Sequence, residues 1–447
     1  MTDLLQIRAY TLSNGAVCVH VVGRPVAVAR VPVHFVVVID NSGSMDEQQK
    51  LRRVIESLHV LLDYMGDADM ISLVTFEATL QRPFTNTRTT ADNKELVRAH
   101  LRNVYPMGGT NIAGCIASLH EILAGAPAGY KNGVLFLTDG EATVGITDTP
   151  TLLVHTQTLV TTYSGLTLST IGYGHDHRAE LLRGMALVGA GSYTIVSGAE
   201  GVAGALGDQL AGLRTCVAQE VRLGIPFDAH QLSTYPKRSG TEIFLGDLLA
   251  EGEHIVVLEG LEAGVSLVLR ASSVETGAPL PSIAVAVDPL SGANEEVGMR
   301  AWLRCSVVQI MEEVNSTLHG SATPADLLSR ISALLAVIRA CPDHPILQQL
   351  QTQLHRCTAI LTEPPPPPAV TRMRSNMLSQ DTTYLGTARG TMSHDPSEDP
   401  HEVVSPFATS VQRAMSSGMT HAVTPSDPGD TGGTPYPPPP PSGLRRY

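Results

Sequence analysis

The sequence predicts an α/β protein: a mostly parallel, Rossmann-like sheet with helices on both faces, accompanied by β-rich and helical segments. Three observations carry that reading. Between residues 33 and 214, short apolar runs alternate with helical stretches, the pattern of a parallel sheet covered on both sides. The run Phe35 to Ile39 is apolar at every position, as a strand buried on both faces requires. Just after it, Leu51, Val54, Ile55, Leu58, Leu61 and Leu62 recur at helical spacing.

The elements follow in order. Strands are expected near 33–40, 69–76, 133–138, 166–172 and 192–196, with a short antiparallel edge strand near 79–84. Helices are expected near 45–64, 91–102, 111–124, 149–162, 176–187 and 198–213. Before this block, residues 4–23 read as two strands around Asn14-Gly15, a hairpin signal. After it, five strand-like runs are separated by Gly, Pro, Asp and Asn: Glu220 to Ile225, Glu242 to Leu245, His254 to Leu258, Val265 to Ala271 and Ile283 to Val287. The hairpin and these runs are expected to form one small β-sandwich into which the α/β block is inserted.

From residue 291 to 362 the period becomes helical. Leu327, Leu328, Ile331, Leu334, Leu335 and Ile338 form one stripe; Ile346, Leu347, Leu350, Leu354, Cys357 and Leu361 form another. A small helical bundle packed on the sandwich is the expectation. From 363 to 447 proline, serine, threonine and glycine dominate, and a disordered tail is expected. Its proline runs, 364–368 and 437–441, favour polyproline II and suit an SH3- or WW-type contact, although a plain flexible tail is the simpler reading. The expected division is therefore 1–32, 33–214, 215–290, 291–362 and 363–447.

Chemistry concentrates where the first sheet strand ends. Asp40-x-Ser42-x-Ser44 offers one carboxylate and two hydroxyls at a strand-to-helix junction. Ser44-x-x-Glu47 also fits a capping box, which explains Ser44 but leaves Asp40 and Ser42 without a role. Two further segments bear on the choice. Gly108-Gly109-Thr110-Asn111 puts a hydroxyl on a glycine-lined loop, and Val134 to Thr138 is an apolar run ending in Asp139. Hard oxygen donors at the carboxyl ends of parallel strands suit a hard divalent cation, and Mg²⁺ takes few carboxylates.

With these three segments in this order, residues Val33 to Leu213 resemble a von Willebrand factor A (VWA) domain with a metal-ion-dependent adhesion site. The resemblance implies that Ser42, Ser44 and Thr110 ligate Mg²⁺ or Mn²⁺ mostly directly, and that Asp40 and Asp139 act largely through water. It also implies an open coordination position, which a Glu or Asp carboxylate from a partner protein completes.

Other functional classes fare poorly. A formal net charge of −13 argues against a nucleic-acid partner. Six cysteines at scattered positions support neither a zinc site nor a disulfide framework. Gly172-Tyr173-Gly174 lacks the third glycine of a dinucleotide fingerprint, and neither a phosphate loop nor a nucleophile elbow occurs. His175, Asp176 and His177 read as a solvated loop. An aspartyl-phosphate enzyme would want a second acid where Ser42 stands. No stretch reads as a signal peptide or a membrane span, so a cytoplasmic location is expected. The expected function is a non-enzymatic, metal-dependent protein-interaction scaffold; the alternative is a non-catalytic recruiting subunit of a ubiquitin-ligase-like or chelatase-like assembly.

Overall fold

The computed structural model describes residues 4–25, 31–139, 142–174, 177–196, 198–233, 235–290, 292–317, 324–362 and 409–423. Strands β1 (Leu5–Thr11) and β2 (Val17–Gly23) form an antiparallel hairpin. Its turn uses Gly15 at φ +86°, a left-handed conformation that glycine adopts without strain, while the Asn14 side chain accepts from the Ala16 amide.

The central sheet follows. β3 (Val33–Asp40), β4 (Met70–Phe76), β6 (Lys131–Thr138), β7 (Thr167–Tyr173) and β8 (Ala190–Val196) are parallel in the order β4-β3-β6-β7-β8. β5 (Leu80–Arg88) pairs antiparallel on the outer side of β4. β3 sits in the middle with every residue buried. Val33, Phe35, Val37 and Ile39 face one core, and Val36 and Val38 face the other. That two-sided burial is why its sequence shows no polar alternation.

Helices cover both faces. α1 (Lys50–Tyr64), α2 (Ala91–Leu101) and α6 (Ala199–Arg214) contribute to the first core; α3 (Ile112–Ala124), α4 (Thr149–Thr162) and α5 (Ala179–Val188) contribute to the second. The first helix differs from expectation. Residues Gly43–Gln49 form a kinked 3₁₀ turn, and the α-helix begins only at Lys50. Gln48 and Gln49 break the helix because both take left-handed φ, 52° and 58°.

β9 (Cys216–Gly224), β10 (His230–Gln231), β11 (Lys237–Ser239), β12 (Glu242–Leu249), β13 (Glu253–Glu259), β14 (Ser266–Ser272) and β15 (Ile283–Ala286) complete two further sheets. One has the order β1-β2-β13-β10 and the other β11-β12-β9-β14-β15. Val17, Val19 and Val21 of the hairpin share a core with Val221, Leu223, Ile243 and Leu245. The central sheet is thus inserted between β2 and β9. The short strands β10 and β11 carry too few residues for a readable period.

α7 (Glu295–Thr317), α8 (Pro324–Ala340) and α9 (Pro345–Thr362) share one core through residues such as Val307, Ile331 and Leu350. Ala301 and Cys305 of α7 pack against Cys18 and Val257 of the sandwich. An ion pair, Arg183–Glu312 at 2.9 Å, ties α5 to α7. None of the helices among the described residues is long and apolar enough to cross a membrane.

The expectation of disorder after residue 363 needs correction at one place. Residues Ser410–Val423 form a helix, α10, packed on α6 and α1. Met419 is fully buried in the first core. The contact depends on small residues: a Cβ on Gly207 would stand 2.9 Å from the Ser416 Cα, and one on Gly418 would stand 2.7 Å from the Tyr64 hydroxyl. Met415, Met419, Ala422 and Val423 recur at helical spacing and turn toward that core, while Gly and Ser between them allow close backbone approach; the stripe is short and sits in a Pro-, Ser- and Gly-rich region, which is why composition outweighs it. Both proline runs lie outside the described residues.

Candidate metal centre

The sheet's carboxyl edge gathers the three oxygen-bearing segments. Asp40 is the last residue of β3 and is fully buried. Its Oδ1 accepts from the Ser42 amide at 2.7 Å, and its Oδ2 accepts from the Thr138 hydroxyl at 2.5 Å. Burial pushes the Asp40 carboxyl up to about 6, despite the lowering effect of the Thr138 and Ser42 hydrogen bonds; the charge of Asp139 raises it further.

A side-chain chain runs across the site. The Ser42 and Ser44 hydroxyls lie 3.1 Å apart, and the Ser44 hydroxyl donates to Asp139 Oδ1 at 2.8 Å. Asp139, directly after β6, takes a second hydrogen bond on Oδ2 from the Lys50 ammonium at 2.6 Å. Ser44 therefore serves Asp139 and not a helix end. The helix starts at Lys50 with Gln49 as its cap residue and no side-chain cap, so the capping-box alternative does not hold.

The Thr110 loop is joined to this group through the backbone. The Gly43 amide donates to the Gly108 carbonyl at 3.2 Å, and the Met107 amide donates to the Asn41 carbonyl at 2.8 Å. Asn41 Nδ2 also reaches the Tyr105 carbonyl. Thr110 is buried; its amide donates to the Thr143 hydroxyl at 2.8 Å, and its carbonyl accepts from the Thr143 and Val144 amides. The loop needs its glycines. Gly108 has φ +66°, and a Cβ there would strike the Glu77 carboxylate; a Cβ on Gly109 would lie 2.8 Å from the Thr143 hydroxyl. Asn111 then caps α3 by accepting from the Gly114 amide at 2.9 Å.

All five predicted residues thus lie on adjoining loops at one edge, with four of them linked by hydrogen bonds. The donor set is oxygen only: three hydroxyls and two buried carboxylates. Such a set suits a hard cation and not a soft one. Among the described residues there is no group of three or more His, Cys, Asp or Glu able to hold a metal. Two residues were not expected at the site. Thr138, next to Asp139 in sequence, orients Asp40, and its position in Leu137-Thr138-Asp139 was the only hint. Lys50 gave no signal, because a regular helix from residue 45 would not aim it there.

The expected solvated loop at 175–177 also needs correction. His177 is buried and lies 2.5 Å from the Tyr193 hydroxyl through Nε2. Its ring fills the space above Gly172, where a Cβ would stand 2.3 Å away. His175 and Asp176 lie outside the described residues.

A doubly covered, mostly parallel sheet with this loop cluster at its carboxyl edge defines a VWA-type α/β fold. A family model for the von Willebrand factor type A domain matches residues 35–141. A solved von Willebrand factor type A protein from Catenulispora acidiphila superposes with a TM-score of 0.60 at 15% identity, covering 86% of this chain and 96% of that one. The ArnB paralog VWA2 from Sulfolobus acidocaldarius gives 0.53 at 14% identity, covering 80% and 97%. At these identities the likeness shows the fold.

By sequence, the chain is 26% identical over 204 residues to the protein YfbK of Escherichia coli, covering 45% of this chain and 35% of that protein. It is 32% identical over 165 residues to inter-alpha-trypsin inhibitor heavy chain H1 of Bos taurus, covering 34% of this chain and 17% of that protein. The chain spans about a third or less of the length of these curated relatives. The fold is thus VWA-type, with the family-model match confined to residues 35–141.

Proposed function

We propose that this domain is a protein-interaction module that works through a divalent cation, Mg²⁺ or Mn²⁺, and binds without turning over a substrate. The observation that carries the reading is the convergence of Ser42, Ser44, Asp40 and Asp139 beside the Thr110 loop at the sheet's carboxyl edge. Ser42, Ser44 and Thr110 would hold the ion through neutral hydroxyls, with Asp40 and Asp139 supplying negative charge around them. A hard cation held mainly by neutral oxygens keeps an electrophilic face for a further carboxylate oxygen. That ligand would be a Glu or Asp of a partner protein.

The rim favours a protein ligand. Tyr105 and Met107, on the loop tied to Asn41, are 64% and 55% exposed. Large apolar side chains left in water beside a polar site are typical of surfaces that bind protein. The fold's wider use in protein interactions agrees with this reading. A role as recruiting subunit of an enzyme assembly uses the same contact.

The test has two stages. Thermal unfolding of the full chain with and without millimolar Mg²⁺ or Mn²⁺ should show metal-dependent stabilisation, lost in Ser44→Ala, because a ligand bound only by the folded state raises stability. Partner capture should then require metal and fail in EDTA and in Asp40→Ala. Equal capture in all arms would sink the reading.

A further inference from the structure

Lys50 is placed against Asp139 by an unusual piece of backbone. Two successive non-glycine residues, Gln48 and Gln49, take left-handed φ of 52° and 58°. Each is a conformation that L-residues enter at a cost, and such strain collects where a side chain must be aimed. The kink ends the 3₁₀ turn that carries Ser44 and restarts the chain as α1 with Lys50 as its first residue. The ammonium reaches Asp139 Oδ2 at 2.6 Å and the Ser44 carbonyl at 3.4 Å. Its side chain is 11% exposed, and that of Asp139 is 0% exposed. A paired cation offsets part of the cost of burying the Asp139 carboxylate.

We propose that Lys50 is a built-in cation of the site: it holds Asp139 when no divalent ion is bound and competes with that ion for it. The inference rests on the reading of the site as a metal centre. Asp139 has its two oxygens committed to Ser44 and Lys50. A divalent ion held at the Ser42 and Ser44 hydroxyls would stand within a few ångströms of the ammonium, in a setting where like charges repel strongly. Lys50 must then leave Asp139. An alternative acceptor is at hand in Glu47, whose Oε2 lies 3.6 Å from Nζ and whose side chain is 76% exposed. The exchange replaces a monovalent internal partner with a divalent external one. Lys50 thereby offsets the Asp139 charge in the metal-free site and lowers its affinity for metal, so that occupancy responds to metal concentration.

Calorimetric titration of Mg²⁺ and Mn²⁺ into the full chain tests this, using wild type, Lys50→Met, Lys50→Arg and Ser44→Ala. Lys50→Met should bind at least about tenfold tighter than wild type, since removing a like charge from a buried site favours the cation. Lys50→Arg should stay near wild type, and Ser44→Ala should lose binding. In EDTA, Lys50→Met should melt below wild type, with the gap closing as metal is added. Metal binding by wild type that is lost in Ser44→Ala but unchanged or weaker in Lys50→Met would overturn the proposal and leave the metal centre standing. No binding by wild type or Lys50→Met would overturn both. Should Lys50→Met fail to fold, ¹⁵N NMR of the lysine ammonium groups in wild type decides. The Lys50 signal should be protected from exchange in EDTA and lose that protection on metal addition; an unchanged signal at saturating metal overturns the proposal.

Discussion

The Lys131 ammonium lies 2.9 Å from Asp247 Oδ2, with both side chains buried. Lys131 opens β6 of the central sheet and Asp247 belongs to β12 of the sandwich, so the pair ties the two together at the central sheet's amino end. Lys131 also donates to the Gly165 carbonyl, and the Thr167 hydroxyl donates to Asp247 Oδ2. The candidate metal centre lies at the opposite, carboxyl edge of the central sheet.

Removing one member of that pair strands a buried charge. Lys131→Met and Asp247→Leu should each destabilise the chain by about 3–5 kcal/mol, whereas the double variant should recover much of the loss. Urea denaturation of the three variants measures this. Additive losses would show that the two residues act separately.

The docking of α10 depends on the lack of a side chain at Gly207. Gly207→Leu should force the helix off α6, because the Ser416 backbone occupies the space. Hydrogen exchange should then rise across residues 410–423 with little change in the sheet. Protection retained across that helix would contradict the packing described here.

Asp208 gives a pH signature. It lies on α6 between Gly204 and Gly212, the stripe that meets α10, and it is buried with Oδ1 lacking a hydrogen-bond partner among the described residues. Burial holds its carboxyl well above the usual carboxylate range. The folded state thus keeps a proton that the unfolded chain releases near pH 4. Its contribution is fully present below that pH and is lost as pH rises toward the elevated folded value. Asp208→Asn should remove this slope and melt higher than wild type at neutral pH. Melting temperatures of both proteins from pH 4 to 8 check it; parallel curves would refute the assignment.

At the site, Thr138→Val should perturb Asp40 without removing any of the five candidate ligands. It deletes the hydroxyl that donates to Asp40 Oδ2. Loss of one hydrogen bond to a buried carboxylate costs about 1.5–3 kcal/mol. Metal affinity, read by thermal shift, should change with it; an unaltered shift would mean that Asp40 stands apart from the metal.

Much of this was legible in the residues themselves. Phe35 to Ile39 announced a central strand because both faces are buried, and Asp40, Ser42, Ser44, Thr110 and Asp139 carry their donor chemistry in their side chains. What escaped depends on backbone geometry. Gln48 and Gln49 are ordinary helix formers, so nothing marked the kink that turns Lys50 inward. The helix at 410–423 has only the short stripe Met415, Met419, Ala422 and Val423, and the compositional bias of its surroundings masked it. Tyr193 and Gly172 together make room for His177, a three-body relation that single positions do not reveal.

The pairing of β2 with β13 has a consequence for synthesis. Val19 meets Val256 across the whole inserted domain. At about 5–20 residues per second, the roughly 240 residues between them take on the order of ten to fifty seconds to emerge from a ribosome. Throughout that interval the first hairpin offers an open strand edge with Val17, Val19 and Val21 uncovered. The nascent chain must keep that edge from foreign strands until its own late partner arrives.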